Sequence, residues 1–446
     1  MRCLLVALLF QTTCAIISPP APLVVAAEMF NEWRMVKEEA ERETDYTMGI
    51  PPPFQCNTFS HQPPPTSVHQ LLPSQIGVIG ALGDSVSVAQ AAESTTVADI
   101  FKEYPGRNFV TGMDVAVEKQ ATLFSILQQF NPNIKGGSSS RIHKFYDFNV
   151  AVAGSVATDM PEQAKELGRR MKDRLGKERH EEMYKLVNVF IGHNDLCQYC
   201  EQPTLHSPST FYTSLHQTLT ILRHTIPNLI INIMPPINVY LHTPTHNASK
   251  FCETVHRVQC PCLFNMTERD YKELKKEFNK KLEELVDTVD SDDGYTVVLS
   301  KGMDIEGIPQ LGDQPNMAIL ALDCFHLSSL AHDWAAKRIW DGFFRPSKPE
   351  KELEDRFRCP PDSCPYIRTK GNLENCTPPV IERALRMPID GQMVGVSSFV
   401  VIAMMMMGTS LILLFVRSNM RRRSPLNDEE RRQLLPMRSD LNDNIF

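Results

Sequence analysis

The chain has no surplus of positive charge. Its 46 Lys and Arg stand against 53 Asp and Glu, a net charge of -7, which argues against a nucleic-acid partner. The histidines are scattered without metal-ligand spacing and no calcium-binding loop is present, so neither a metal nor another cofactor is expected. No internal repeat is visible. The Cys197-Gln198-Tyr199-Cys200 pair has no matching second pair, which disfavours zinc. What the chain does have is length and apolar content. At 446 residues and 42% hydrophobic composition it can bury a sizeable core, enough for one large domain with appendages.

The appendages sit at the two ends. Residues 1–15, MRCLLVALLFQTTCA, combine Arg2, an apolar run and a small-residue Thr13-Cys14-Ala15 exit. That reads as a secretory leader, too short to span a bilayer. Residues 393–416 form an uncharged apolar run of 24 residues, followed by Arg417, Arg421, Arg422 and Arg423. Such a run is long enough to cross a membrane, and the arginines put residues 417–446 in the cytoplasm and the body outside. The expected arrangement is single-pass, type I, at the cell membrane. In the tail, residues 430–435 (Glu430-Arg-Arg-Gln-Leu434-Leu435) resemble an acidic dileucine signal; its partner would be a sorting adaptor, and its effect endosomal or lysosomal delivery.

Of twelve cysteines, Cys3 and Cys14 leave with the leader, and ten remain: Cys56, Cys197, Cys200, Cys252, Cys260, Cys262, Cys324, Cys359, Cys364 and Cys376. An even number in a secreted body favours disulfides, with connectivity left open. Asn247, Asn265 and Asn375 stand in glycosylation acceptors, which suit the same compartment.

Residues 16–66 contain Pro51-Pro52-Pro53 and Pro63-Pro64-Pro65 and are expected to be an extended lead-in. A main domain at 67–346 and a Cys-containing stalk at 347–392 follow. Within the domain, residues 76–90 (IGVIGALGDSVSVAQ) read as a strand buried on both faces that stops at Gly83-Asp84-Ser85. Gly permits a sharp turn there, and Asp and Ser are suited to capping a following helix. Further buried-strand runs lie at 148–153, 186–191, 229–234 and 295–299. Helical spacing marks 115–130, 159–175, 213–224, 268–289 and 328–340. Five apolar strands alternating with helices predict an α/β fold with a parallel sheet covered on both faces. The strand ends at Ser85, Gly154 and Gly192 would converge on one rim, where such sheets place their ligands.

An acyl-transfer site needs a nucleophile, a base, a group that orients the base, and donors for the oxyanion. Ser85 can attack, His326 can take its proton, and Asp323 can hold the imidazole. The backbone N–H groups of Ser85 and Gly154 and the side-chain amide of Asn194 can serve the oxyanion. At position 154 a Gly lets the backbone come close to a reacting carbonyl. Other readings fit less well. The α/β-hydrolase elbow wants Gly-x-Ser-x-Gly, and Gly83-Asp84-Ser85-Val86-Ser87 lacks the second Gly. Cys324, two residues from His326, is better placed for a disulfide than as a thiol nucleophile, and His193 fits a lining role.

Gly-Asp-Ser, Gly, Gly-x-Asn-Asp and Asp-x-x-His in this order resemble the four signature blocks of the GDSL or SGNH hydrolase family. Within it the chain is most similar to the membrane-associated phospholipase B group, through residues 64–71 (PPTSVHQL), 81–85 (ALGDS), 149–164 (NVAVAGSVATDMPEQA), 190–200 (FIGHNDLCQYC) and 359–369 (CPPDSCPYIRT). The resemblance implies a three-layer α/β/α sandwich with a mostly parallel sheet of about five strands. It implies a triad of Ser85, Asp323 and His326 and an oxyanion hole of Ser85, Gly154 and Asn194, with Asp84 and Asp195 supporting their loops. The implied substrate is a phospholipid or lysophospholipid. Val86-Ser87 and residues 104–113 (YPGRNFVTGM) depart from the group's pattern, which bears on substrate preference more than on catalysis. A GDSL esterase for retinyl, short-chain or carbohydrate esters is the alternative enzyme. A catalytically silent receptor or adhesion ectodomain is the alternative of another class.

Overall fold

A computed structural model describes residues 21–376, apart from 60–61, 142–145, 302, 304–308, 346–352, 355 and 375. The chain divides into a unit at 1–378 and another at 379–446, and only the first holds described residues. The leader, the apolar run at 393–416, the tail with its dileucine, Asn375 and part of the stalk therefore lie outside them. Among the described residues no helix is long and apolar enough to cross a membrane.

Four parallel strands form the central sheet in the order β1 (Ile76–Gly83), β2 (Tyr184–Phe190), β3 (Leu229–Met234), β4 (Tyr295–Leu299). All eight residues of β1 are buried. Alternate side chains point to opposite faces and enter separate cores. Ile79, Ala81, Leu186, Phe190, Ile230 and Met234 join one core, while Val78, Leu82, Val187, Val189, Ile231 and Ile233 join the other. Burial on both faces explains why these strands read as continuous apolar runs.

The helices, in chain order, are α1 (Ala21–Glu43), α2 (Leu123–Phe130), α3 (Met160–Leu175), α4 (Lys177–Glu182), α5 (His193–Gln198), α6 (Pro208–Thr225), α7 (Thr245–Ala248), α8 (Lys250–Gln259), α9 (Cys262–Asn265), α10 (Glu268–Thr288) and α11 (Ser329–Gly342). The first core takes residues of α1, α2 and α11, and the second those of α3, α6 and α10.

Three expectations are corrected. The run at 148–153 is not a fifth strand, although it lies parallel to β1: the Ala81 amide donates to the Phe148 carbonyl at 3.0 Å and the Val150 amide to the Ala81 carbonyl at 2.9 Å. The Asn149 side chain accepts from the Ala151 amide at 3.1 Å, a local turn that competes with the ladder and leaves a single bridge, Ala81 with Asn149. The helix expected over 115–130 begins only at Leu123, after Thr122 caps it by accepting from the Ser125 amide at 3.0 Å. Upstream, the Ala121 amide donates to the Asp333 carboxylate instead of to a helical carbonyl.

The lead-in at 16–66 is not extended throughout, because α1 occupies 21–43. Phe30, Trp33, Lys37 and Ala40, spaced by three and four, are its buried face. The Trp33 indole N–H donates to the Leu322 carbonyl at 3.2 Å, next to Asp323. Just after α1, the Gly49 amide (2.8 Å), the Tyr46 hydroxyl (2.7 Å) and the Lys337 ammonium (2.8 Å) converge on buried Asp333.

All ten cysteines among the described residues are paired: Cys56–Cys359, Cys197–Cys260, Cys200–Cys262, Cys252–Cys324 and Cys364–Cys376. Cys197 and Cys200 take different partners, so the Cys-x-x-Cys stretch is not a dithiol pair. Replacing Trp33 with Ala should destabilise the protein by about 3–5 kcal/mol, as for other buried Trp truncations. Urea unfolding checks this, and a loss below about 1 kcal/mol would mean that α1 is peripheral to the fold.

Candidate active site

β1 runs into its turn against β2. A Cβ at Gly83 would lie 2.3 Å from the Phe190 carbonyl, so only Gly lets the two strand ends stay this close. The chain after Ser85 does not open the expected helix. It makes successive turns in which Ala89 and Ala91 take φ of 52° and 59°, and the Gln90 amide returns to the Ser85 carbonyl at 3.0 Å. Asp84 shapes the start by accepting from the Val86 amide at 3.0 Å.

Ser85 and His326 are 241 residues apart in sequence, yet the hydroxyl and imidazole Nε2 lie 2.7 Å from each other. His326 Nδ1 lies on Asp323 Oδ2, and Asp323 Oδ1 accepts from the amides of Phe325 (3.1 Å) and His326 (3.0 Å). Asp323 is fully buried and His326 nearly so. Burial alone would push the Asp323 carboxyl up, but the adjacent His326 ring and the two amides outweigh it and hold it below the usual carboxylate range. An ionised Asp323 keeps the proton on Nδ1 and leaves Nε2 free to accept from Ser85, so the arrangement can pass a proton away from the serine.

Of the expected oxyanion donors, Gly154 lies on a loop and Asn194 in the first turn of α5. The Asn194 side-chain amide donates to the Ser155 carbonyl at 2.8 Å, beside Gly154. Gly154 has φ of 84°, and a Cβ there would meet nothing within 4 Å, so backbone conformation is what restricts this position to Gly. Gln163 from α3 ties that loop to the serine turn. It accepts from the Gly83 amide (3.0 Å) and donates to the Gly83 carbonyl (2.9 Å) and the Ser155 hydroxyl (3.0 Å). His193 meets the Asp84 carboxylate at 2.8 Å. Asp195 accepts from the Ala157 amide at 2.9 Å and faces His206 at 3.2 Å.

Sequence reasoning missed two groups. Gln163 lies inside the 149–164 block, which is the one signal that could have marked it. His332 carries no such signal. It is buried on α11, its ring stacks on Phe109 at 5.7 Å, and neither ring nitrogen has a partner. Burial above all, with the His326 ring nearby, pushes it down to about 3, so it stays neutral. Cys324 is bonded to Cys252 and is not a thiol. Among the described residues no group of three or more His, Cys, Asp and Glu could hold a metal ion.

The family model of GDSL-like lipases and acylhydrolases matches residues 79–339, from within β1 to within α11. The chain belongs to that family. It therefore stands among ester-hydrolysing enzymes. It is similar to membrane-associated phospholipase B1 of Homo sapiens, 31% identical over 328 residues, covering 69% of this chain and 22% of that relative. It is also similar to membrane-associated phospholipase B1 of Rattus norvegicus, 28% identical over 356 residues, covering 74% of this chain and 24% of the relative. The chain thus spans under a quarter of the matched relatives' length. A solved structure from Parabacteroides merdae is 12% identical, with a TM-score of 0.35 and coverage of 61% of this chain and 97% of its own.

In a GDSL-like site, an oxyanion donor acts on charge that develops only in the transition state. Asn194→Ala should accordingly lower kcat by about 10²–10³-fold with little change in KM. Steady-state kinetics on a soluble ester check it, and an unchanged kcat would leave Asn194 as a loop brace for Ser155.

Proposed function

We propose that the protein is a membrane-anchored lipid esterase of phospholipase B type, acting outside the cell. The observation that carries this reading is the hydrogen-bonded chain from Ser85 through His326 to Asp323 at the carboxyl rim of the sheet. In the proposed reaction Ser85 attacks the ester carbonyl while His326 takes its proton. The amides of Ser85 and Gly154 and the side chain of Asn194 stabilise the tetrahedral oxyanion. His326 then protonates the departing glycerol oxygen, leaving an acyl-serine. Water attacks that ester with His326 again as base, releasing fatty acid and restoring the serine.

The lipid substrate is supported by the similarity to membrane-associated phospholipase B1, and the membrane location by the sequence of residues 1–15 and 393–423. The reading includes a cleaved leader, one anchor helix at 393–416, glycans on Asn247, Asn265 and Asn375, and a sorting adaptor at the tail. Asn265 is exposed at the end of α9, as a glycan requires. A phospholipase B removes both acyl chains, so one triad must accept a diacyl lipid and then its lyso product.

Phosphatidylcholine digested in EDTA and followed by mass spectrometry should give free fatty acid and glycerophosphocholine, with lysophosphatidylcholine appearing transiently. Activity is expected to survive the chelator because the proposed proton relay is made of side chains alone. Turnover of short soluble esters with none of either phospholipid would move the assignment to an esterase for another acyl ester. Turnover of neither would leave a silent ectodomain.

A further inference from the structure

The segment after the serine turn presents apolar side chains to solvent on a hydrogen-bonded turn. Phe101 is 73% exposed and Val97 45%, while Ile100 between them is buried in the core. A short 3-10 turn at Val97–Asp99 sets this alternation. The Asp99 carboxylate fixes it, accepting from the hydroxyls of Thr96 (2.8 Å) and Thr95 (3.3 Å). The turn is joined directly to the nucleophile: the Ala91 amide donates to the Lys102 carbonyl at 2.8 Å, Gln90 bridges Glu103, and the Gln90 amide reaches the Ser85 carbonyl.

Val152, on the segment that runs beside the end of β1, is 57% exposed, and its amide donates to the Gly83 carbonyl at 3.2 Å. At 73% exposure the Phe101 ring gives little of its apolar area to the core. The geometry points to a docking surface, formed by Val97, Phe101 and Val152 around the mouth of the site, that inserts into a lipid layer. This inference rests on the lipid-esterase reading above and says how that site meets its substrate.

Charge selects the kind of surface. Residues 91–107 carry Glu93, Asp99 and Glu103 against Lys102 and Arg107, one excess negative charge. Arg107 is paired with Glu93, and the Lys102 ammonium lies 5.0 Å over the Tyr104 ring. No free cation cluster is available here to attract anionic headgroups. The occupant is a zwitterionic layer entered by apolar side chains. A body tethered through residues 393–416 would meet such a layer at high effective concentration.

Phe101→Trp makes the surface readable in the full chain. The three native Trp residues, at 33, 334 and 340, are all buried, so they form a background shielded from lipid. With the protein reconstituted in phosphatidylcholine vesicles, the emission from position 101 should shift to the blue and be quenched by bromine on the acyl chains. Emission at the solvent wavelength, untouched by brominated lipid, would overturn the proposal.

As a second readout, Phe101→Ser combined with Val97→Ser should lower hydrolysis of vesicle phosphatidylcholine about tenfold while leaving turnover of a soluble short-chain ester unchanged. Equal loss on both substrates would also overturn it, making the segment a support of the site. Quenching of the Phe101→Trp chain, with the unsubstituted protein hydrolysing no phospholipid, would instead remove the lipid-esterase reading and leave the docking surface standing.

Discussion

Asp323 is a carboxylate with no access to water, and such a group is tolerable only if its oxygens are claimed by donors. One oxygen takes the amides of Phe325 and His326, and the other takes the His326 ring. Satisfying Asp323 therefore fixes His326, both its tautomer and the direction of Nε2 toward Ser85. The turn that does this contains a non-glycine residue, Cys324, with φ of 61°, a conformation that persists only when its surroundings enforce it. Those surroundings can be named. Cys252 holds the Cys324 side chain, His256 meets the Cys324 carbonyl at 2.9 Å, and Trp33 from α1 holds the Leu322 carbonyl.

The opposite half of the site is built on different physics. Ser85 is placed by a sheet whose strands are buried on both faces and whose register pairs Gly83 with Phe190. Polar side chains then lash the strand ends together: Gln163 joins Gly83 to Ser155, and His193 joins α5 to Asp84. Each bond is modest alone. Together they connect the β1 turn, the Gly154 loop and the start of α5 before any substrate arrives, the preorganisation that the proposed oxyanion hole would need.

The contact of Ser85 with His326 and of His326 with Asp323 was legible because each residue sits in a short block whose residue types suit one chemistry, and four strand runs could be read because burial on both faces leaves no polar interruption. What failed was decided by distant partners. Nothing within residues 115–122 says that the Ala121 amide will go to Asp333, nor within 148–153 that the Asn149 side chain will take the Ala151 amide into a local turn. In the lead-in, the prolines at 51–53 and 63–65 disfavour regular structure only where they stand, and the three-four spacing of Phe30, Trp33, Lys37 and Ala40 upstream of them supports α1. The disulfide pairs are equally non-local, since Cys56 meets Cys359 across 303 residues. His332 is set apart by its burial, and burial has no local signature.

The central claim is that one serine, made nucleophilic by a histidine fixed through Asp323, does the chemistry. Incubating the intact protein with a fluorophosphonate and mapping the adduct by tandem mass spectrometry tests it most directly. The account predicts a single adduct on Ser85, absent from the Ser85→Ala chain and from protein unfolded in urea. An adduct on another residue, or none on native protein that hydrolyses esters, would contradict it.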